Sequence, residues 1–292
     1  MGGVARVLSF MRSILFRRRK LAAQNAELTA RVKALTSDSA LLLARLGAAE
    51  QELRMTKAPQ QWPTVGPFLP KPDQLPLSAL ERRLIDQFHD LYYRLGQRGF
   101  FTYHVSWLGY STLKCPLDLW IYQELICRIK PDVIIETGTA SGGSALYLAT
   151  LCQLVGHGEV ITIDVDARDI EVRPMSPRLS YISGSSTDPE VFAEAQRRVA
   201  GRPSVMVILD SDHRKAHVLE ELRLYHQFVP VGGYLIVEDT NINGHPTYPE
   251  FGPGPMEAVE EFLTENGSFR EDESCERFLL TMNPRGFLLR ER

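Results

Sequence analysis

Apolar and polar positions along the chain follow two regimes that meet near residue 77. In the first, residues 21–53 repeat every seven positions. Leu21, Leu28, Leu35, Leu42 and Ala49 form one series, and Asn25, Val32, Ser39, Leu46 and Leu53 form a second between them. The offsets alternate four and three, which is the a/d seam of a coiled coil. Asn25 at an a position favours two parallel strands in fixed register, and Arg45 at g can reach Glu50 at e of a partner. A homo-oligomer through residues 21–53 is the expectation, the alternative being one amphipathic helix packed on the remainder of the chain. In the second regime, short apolar runs alternate with helical patterns. Strands are expected at 132–136, 160–164, 179–183, 204–209 and 233–238, with helices at 143–154, 188–200, 213–228 and 255–265. Residues 77–130 read as helices ahead of the first strand, including 117–129. Residues 277–282 and 286–290 read as two strands joined by Asn283-Pro284-Arg285.

Alternation of this kind demands right-handed crossovers and a parallel sheet covered on both faces. The expected fold class is therefore α/β: a doubly wound, Rossmann-like sheet ending in a C-terminal antiparallel hairpin, preceded by an N-terminal coiled-coil helix. Four segments follow. Residues 1–20 are a basic amphipathic segment and 21–56 the coiled coil. Residues 57–76 are a stiff linker rich in proline (Pro59, Pro63, Pro67, Pro70, Pro72, Pro76), and 77–292 are the body.

Charge sharpens this division. The net of −3 conceals eleven Lys/Arg against four Asp/Glu in residues 1–60, so the body is strongly acidic. An acidic surface repels phosphate backbones, which disfavours nucleic acid as a partner. Residues 4–16 place Val4, Val7, Leu8, Met11, Ile14 and Leu15 at helical spacing among Arg6, Arg12 and the run Arg17–Lys20. A basic helix of this sort can lie on an anionic membrane surface, so peripheral membrane contact through residues 1–20 is one expectation, with a frayed terminus and an Arg-rich transit peptide as the alternatives. No apolar stretch approaches the length of a membrane span. The four cysteines, with no CxxC spacing, fit a reducing, cytoplasmic setting and no zinc site.

The strand ends carry the candidate chemistry. The first strand runs into Glu136-Thr137-Gly138-Thr139-Ala140-Ser141-Gly142-Gly143-Ser144. The GxGxxG dinucleotide fingerprint is absent, and a carboxylate at the strand tip repels a pyrophosphate but attracts an ammonium group. That points to S-adenosylmethionine, whose amino acid and sulfonium are cationic. On this reading Glu136, Gly138, Thr139, Ala140, Ser141 and Ser144 hold the donor, Asp164 accepts from its ribose hydroxyls and Ser185 lines its adenine. A structural turn with a solvated acid is the bland alternative. The fourth and fifth strands end in Asp210-Ser211-Asp212-His213 and Glu238-Asp239-Thr240. Asp210, Glu238 and Asp239 would converge at one sheet edge, where a hard cation with oxygen ligands, Mg2+, relieves their repulsion. Acids capping the following helices, Asp212 among them, would explain the pattern without a metal. His213, one turn past Asp210, is placed to take a proton from a metal-bound hydroxyl. His217 and His226 read as helix-face residues, and His245 sits in a Pro/Gly-rich loop, 241–255, above the fifth strand.

The segments PLDLWIYQELI, PDVIIETGTASGGSALYLA, LDSDH and GGYLIVEDTNINGHP together resemble the cephalosporin hydroxylase family, over about residues 100–290. Members of that family include Mg2+-dependent O-methyltransferases of rhamnosyl lipids and macrolide sugars. The resemblance implies a methyltransferase sheet, Asp210, Glu238 and Asp239 as metal ligands, His213 as base, and Glu136, Gly138, Ser141 and Asp164 as donor-binding residues. The expected activity is transfer of a methyl group to a hydroxyl of a small-molecule or glycan acceptor. Two alternatives stand beside it: a metal-dependent hydroxylase on the same fold, and a non-catalytic coiled-coil assembly protein. Acceptor-lining residues are expected from 98–114, with Phe101, Tyr103, Trp107 and Tyr110 as candidate sugar platforms, and from the 241–255 loop.

Overall fold

A computed structural model of the chain describes residues 77–99, 105–165 and 173–292, together with Arg31 and Lys33. The described body lies within one compact unit, Trp62–Arg292. The basic segment, the proline-rich linker, the coiled coil apart from those two residues, and Phe101 and Tyr103 lie outside the described residues.

The body begins with helix α1 (Ala79–Gln97), started by a reciprocal cap in which the Glu81 amide donates to Ser78 Oγ and the Ser78 amide to Glu81 Oε2. A two-stranded ribbon follows, β1 (Ser106–Trp107) and β2 (Tyr110–Ser111), and then α2 (Pro116–Ile129). From there strands and helices alternate as their periods dictate: β3 (Val133–Thr137), α3 (Gly143–Val155), β4 (Glu159–Asp164), β5 (Leu179–Ser183), α4 (Pro189–Val199), β6 (Val205–Leu209), α5 (Lys215–Tyr225), β7 (Tyr234–Val237) and α6 (Pro255–Glu265). The chain closes with β8 (Phe269–Glu271) and β9 (Phe287–Arg290).

One seven-stranded sheet results, in the order β5-β4-β3-β6-β7-β9-β8. Strands β3 to β7 pair in parallel, and β9 runs antiparallel to both β7 and β8. Period-two alternation sends Val133 and Ile135 to one buried face, with Val207 and Leu235, and Ile134 to the other, with Ile208 and Ile236. Both faces are covered, which is why the strands read as continuous apolar runs.

The C-terminal antiparallel pair differs from expectation in one partner. Residues 277–282 form no strand, and β9 instead pairs with Phe269–Glu271. The backbone of 277–282 is engaged elsewhere. The Met282 amide donates to Asp118 Oδ2 at 2.9 Å, the Met282 carbonyl accepts from the Asn241 amide, and Leu279 is left-handed with φ 69°. With the Met282 amide and carbonyl taken by Asp118 and Asn241, and the backbone turned left-handed at Leu279, the run does not extend alongside β9. Helix α5 also starts two residues later than expected, because Asp212 Oδ1 accepts from the Arg214 amide and holds a turn there. Among the described residues, no helix is long and apolar enough to cross a membrane.

Candidate functional site

Register brings the strand ends to one level. Thr137 of β3 lies opposite Leu209 of β6, and Leu209 opposite Val237 of β7. The next residues, Gly138, Asp210 and Glu238, therefore leave the sheet side by side. Strand order also reverses between β3 and β6, which opens a crevice at the carboxyl edge. Gly138 adopts φ +86°, and a Cβ there would lie 1.8 Å from the Asp210 carbonyl oxygen. Only glycine lets the two loops approach this closely.

A cavity of about 370 Å³ occupies the crevice. Gly138, Thr139, Ala140, Ser141, Ser144, Asp164, Asp210, His213 and Asp239 line it. Glu136, Ser185 and Glu238 stand outside the lining. Glu136 ends up fully buried because it shares the strand face of Ile134 beneath α2 and α3. Its Oε2 accepts from Thr162 Oγ1 at 2.8 Å, while its Oε1 is buried with no hydrogen-bond partner. Burial raises its pKa, opposed by the nearby Lys114 ammonium. A buried acceptor without a donor fits a ligand that brings one. Asp164 Oδ2 accepts from the Ala140 amide at 2.8 Å, which ties the glycine loop to the end of β4. The Ser185 hydroxyl lies 3.1 Å from that of Thr187.

The acidic strand ends separate into two groups. Asp210, His213 and Asp239 each offer a ligand atom, all within 4.8 Å of one another. His213 Nε2 lies 3.3 Å from Asp239 Oδ2. Asp239 itself sits at φ 55°, a left-handed position that Asp tolerates better than most residues, and its amide donates to Asn283 Oδ1. Glu238 lies deeper, held by the Tyr122 hydroxyl and by Lys114 Nζ at 2.7 Å. Lys114 Nζ also lies 2.5 Å from Asp210 Oδ2. The Asn283 amide nitrogen donates to Tyr122 Oη at 3.0 Å, so one chain of contacts runs from Asp239 through Asn283, Tyr122, Glu238 and Lys114 to Asp210. Nothing in the sequence pattern singled out Lys114, Tyr122 or Asn283.

Charge at these strand ends is out of balance. The Lys114 ammonium acts on Asp210, Glu238 and Glu136, and it also reaches Asp239. Burial drives the Asp210 carboxyl well above the ordinary range, and Lys114 counters only part of this. Asp239 is likewise raised by burial, with His213 and Lys114 opposing. An excess of buried acid around oxygen donors fits a hard divalent cation, which supplies the missing positive charge. The two carboxylates of that group, Asp210 and Asp239, are oxygen donors compatible with it.

Asp118, in the first turn of α2, belongs to the same acidic region and is pushed up to about 7, chiefly by burial, with Glu238 and Asp239 adding to the effect. The folded chain then holds a proton that the unfolded chain has already released above its ordinary carboxylate range. The stability this contributes is complete below that range and is lost as pH rises through 7. Asp118→Asn, which fixes the neutral form, is expected to melt close to wild type below about pH 4. At pH 8 without added divalent cation it should be the more stable by on the order of a few kcal/mol. Parallel thermal melts across pH check this, and equal slopes for the two proteins would refute it.

The wall facing the acids comes from an unexpected element. Tyr92, Tyr93, Gly96 and Gln97 of α1 line the cavity, and the Tyr93 ring stacks on Tyr248 at 6.3 Å between centroids. From the 98–114 segment, Val105 and Ser111 to Lys114 reach the lining. Trp107 does not: its indole nitrogen donates to Thr150 Oγ1 and its ring packs edge-on against Tyr147, away from the cavity. Tyr110, in β2, is also absent from the lining. The 241–255 loop contributes only through Tyr248 behind Tyr93. His245 Nε2 lies 2.9 Å from Glu257 Oε1, which fastens that loop to the start of α6.

Comparison with known proteins adds relatives to this geometry. The family model described as rhamnosyl O-methyltransferase/CmcI matches residues 99–291. A rhamnosyl O-methyltransferase of Mycobacterium leprae (strain TN) is 35% identical over 213 residues, covering 71% of this chain and 91% of that protein. A rhamnosyl O-methyltransferase of Mycobacterium tuberculosis (strain ATCC 25618 / H37Rv) is 39% identical over 190 residues, covering 63% of this chain and 78% of that protein. Among solved structures, CmcI with Mg and SAM superposes with a TM-score of 0.51 at 20% identity, over 65% of this chain and 78% of that one. At that identity the likeness is one of fold.

Proposed function

The chain belongs to the rhamnosyl O-methyltransferase/CmcI family, and from that premise we propose that it transfers a methyl group from S-adenosylmethionine to a sugar hydroxyl with the help of Mg2+. The observation that carries this reading is the convergence of the β3 glycine loop, Asp164, Asp210, His213 and Asp239 on one cavity at the strand-order reversal. S-adenosylmethionine supplies an electrophilic methyl group. Its ribose would meet the Asp164 carboxylate, and the Glu136 carboxylate, buried behind the glycine loop, would attract its ammonium through charge. Mg2+ would be held by Asp210 and Asp239 and supplies a lowered pKa and a fixed orientation for the acceptor hydroxyl. His213, exposed to the cavity beside Asp239, would take the hydroxyl proton as the oxygen attacks the methyl carbon and the methyl C–S bond breaks, the sulfonium leaving as the neutral thioether of S-adenosylhomocysteine. The Gly138–Ser144 loop and the β6 end fix the distance and line of approach of the reacting atoms.

A redox-metal hydroxylase would call for two histidines and a carboxylate, and the described cluster holds one histidine. A non-catalytic scaffold would have no use for an acid cluster, with more carboxylates than cations, gathered at the edge of a cavity.

The acceptor class follows from the opposite wall. Tyr93 backed by Tyr248, with Gln97 beside them, offers a ring face and an amide, a pairing suited to a pyranose. A methyl-transfer assay with methyl α-L-rhamnopyranoside as acceptor, with and without EDTA, tests the reading, and full activity in excess chelator would remove the metal. His213→Ala should lower kcat by about a hundredfold or more while donor affinity holds. Tyr93→Ala should raise the acceptor KM by about tenfold with donor affinity unchanged. A Tyr93→Ala protein that loses donor binding as well would place the ring in the scaffold instead.

A further inference from the structure

We propose that Lys114 is a resident competitor for the divalent cation: its ammonium bridges Asp210 and Glu238 when the cation is away and yields Asp210 when the cation arrives. The inference rests on the reading that a cation binds at these strand ends. Three observations carry it. The ammonium lies 2.5 Å from Asp210 Oδ2 and 2.7 Å from Glu238 Oε1, with its side chain 2% exposed, so it is a built part of the cluster. It touches the same Asp210 carboxyl group that stands among the ligand atoms of His213 and Asp239. Lys114 also lines the cavity, on the loop between β2 and α2, so it is set on a segment separate from every acid it meets.

The energetics favour competition over simple bracing. Buried carboxyl groups this close repel one another, and a metal-free cluster without a cation would be costly to fold. An ammonium in their midst removes that cost. The same ammonium repels a divalent ion brought to Asp210 and must give up a charge-assisted bond to make room. Metal-free stability and cation affinity are thus set against each other through one side chain. A neutral side chain of similar length would fill the space and impose no such trade.

The test compares full-length wild type with Lys114→Gln and Lys114→Arg, using MgCl2 as the titrant in calorimetry and thermal melts. Lys114→Gln is expected to bind Mg2+ at least about tenfold more tightly, to melt lower without metal and to gain more from added Mg2+ than wild type does. Lys114→Arg, which keeps the charge, should stay near wild type in affinity. Unchanged or weaker Mg2+ binding by Lys114→Gln would overturn the competition and leave Lys114 as a brace. If Lys114→Gln fails to fold, lysine 15N resonances of the wild type decide the matter, with the Lys114 signal identified by its loss in Lys114→Arg. A shift of that signal on adding MgCl2 supports displacement, and a static one refutes it. Wild type that binds no Mg2+ at all would instead overturn the cation reading on which the competition depends.

Discussion

Asp210→Asn is expected to lower kcat/KM for methyl transfer by about a thousandfold, roughly 4 kcal/mol of transition-state stabilisation, while leaving S-adenosylmethionine affinity within about twofold. The separation of effects follows from where the residue sits. The Asp210 amide donates to the Thr137 carbonyl at 3.0 Å, a backbone bond that Asn keeps, so the crevice should hold its shape. The donor side is built by the β3 loop and the end of β4, and neither needs the Asp210 carboxylate. What Asn lacks is charge. It leaves Lys114 with Glu238 as its remaining close acid and deprives the cation of a ligand from the β6 end. Labelled methyl transfer and donor calorimetry on the same preparation check the prediction. A variant that keeps its rate would remove Asp210 from the chemistry, and one that loses donor binding would show a broader collapse. The sign is opposite to that expected for Lys114→Gln in cation affinity, although the two side chains touch. A single bulk effect on folding cannot produce both.

Gly138→Ala should be the most damaging small substitution in the body. Two costs coincide there. The left-handed φ of +86° penalises any Cβ by about 1–2 kcal/mol. The added carbon would also lie 1.8 Å from the Asp210 carbonyl oxygen and 2.5 Å from its carbon, both of them backbone atoms of a loop fixed to the sheet. Something must shift, and a loss on the order of 4 kcal/mol of stability is expected, with donor and cation binding both weakened because the wedge separates the β3 and β6 ends. Gly156→Ala supplies the comparison. Gly156 has φ +76°, but a Cβ added there would meet no atom within 4 Å, so only the backbone penalty of about 1 kcal/mol applies. Denaturant melts of both variants, with calorimetry for each ligand, isolate the close approach as the difference between them. Equal losses would mean that the crossing of these two loops carries no special constraint.

The sheet was legible in the sequence because its central parallel strands are buried on both faces and its parallel strands are bounded by glycine or by an acid. Val133–Thr137, Glu159–Asp164 and Val205–Leu209 needed no tertiary information. The arrival of Asp210, Glu238 and Asp239 at one edge was also legible, since parallel strands in one crossover pattern end there; the close approach of Gly138 to the Asp210 carbonyl was not. What failed to show was whatever depends on a distant partner. Lys114 is one cation in an irregular segment, and its significance exists only through two acids that lie 96 and 124 positions further along the chain. Glu238 and Asp239 look equivalent as neighbours in sequence, yet the chain turns left-handed at Asp239, and one carboxylate goes to Tyr122 and Lys114 while the other goes to His213. The final hairpin misled for a related reason. Phe278 to Met282 has strand-like residues, but its backbone is bound by Asp118 and Asn241, and the partner of β9 is the short, polar Phe269–Glu271.

The α1 wall has a consequence for how such an enzyme can change over time. Asp210, Glu238 and Asp239 are interlocked with one another, with Lys114 and with sheet register, so a substitution among them disturbs several partners at once. Tyr93 and Gln97 stand on a helix ahead of the residues matched by the family model, joined to the 241–255 loop by the Tyr93–Tyr248 stack and by the contact of His89 with Asn241. On the proposed acceptor role of Tyr93 and Gln97, exchanging side chains there would alter what the cavity admits while leaving the strand-end acids in place. Acceptor preference would then drift by single steps that selection can sample one at a time, and an α1 helix transplanted from a relative is the natural starting point for redirecting the enzyme to a different sugar.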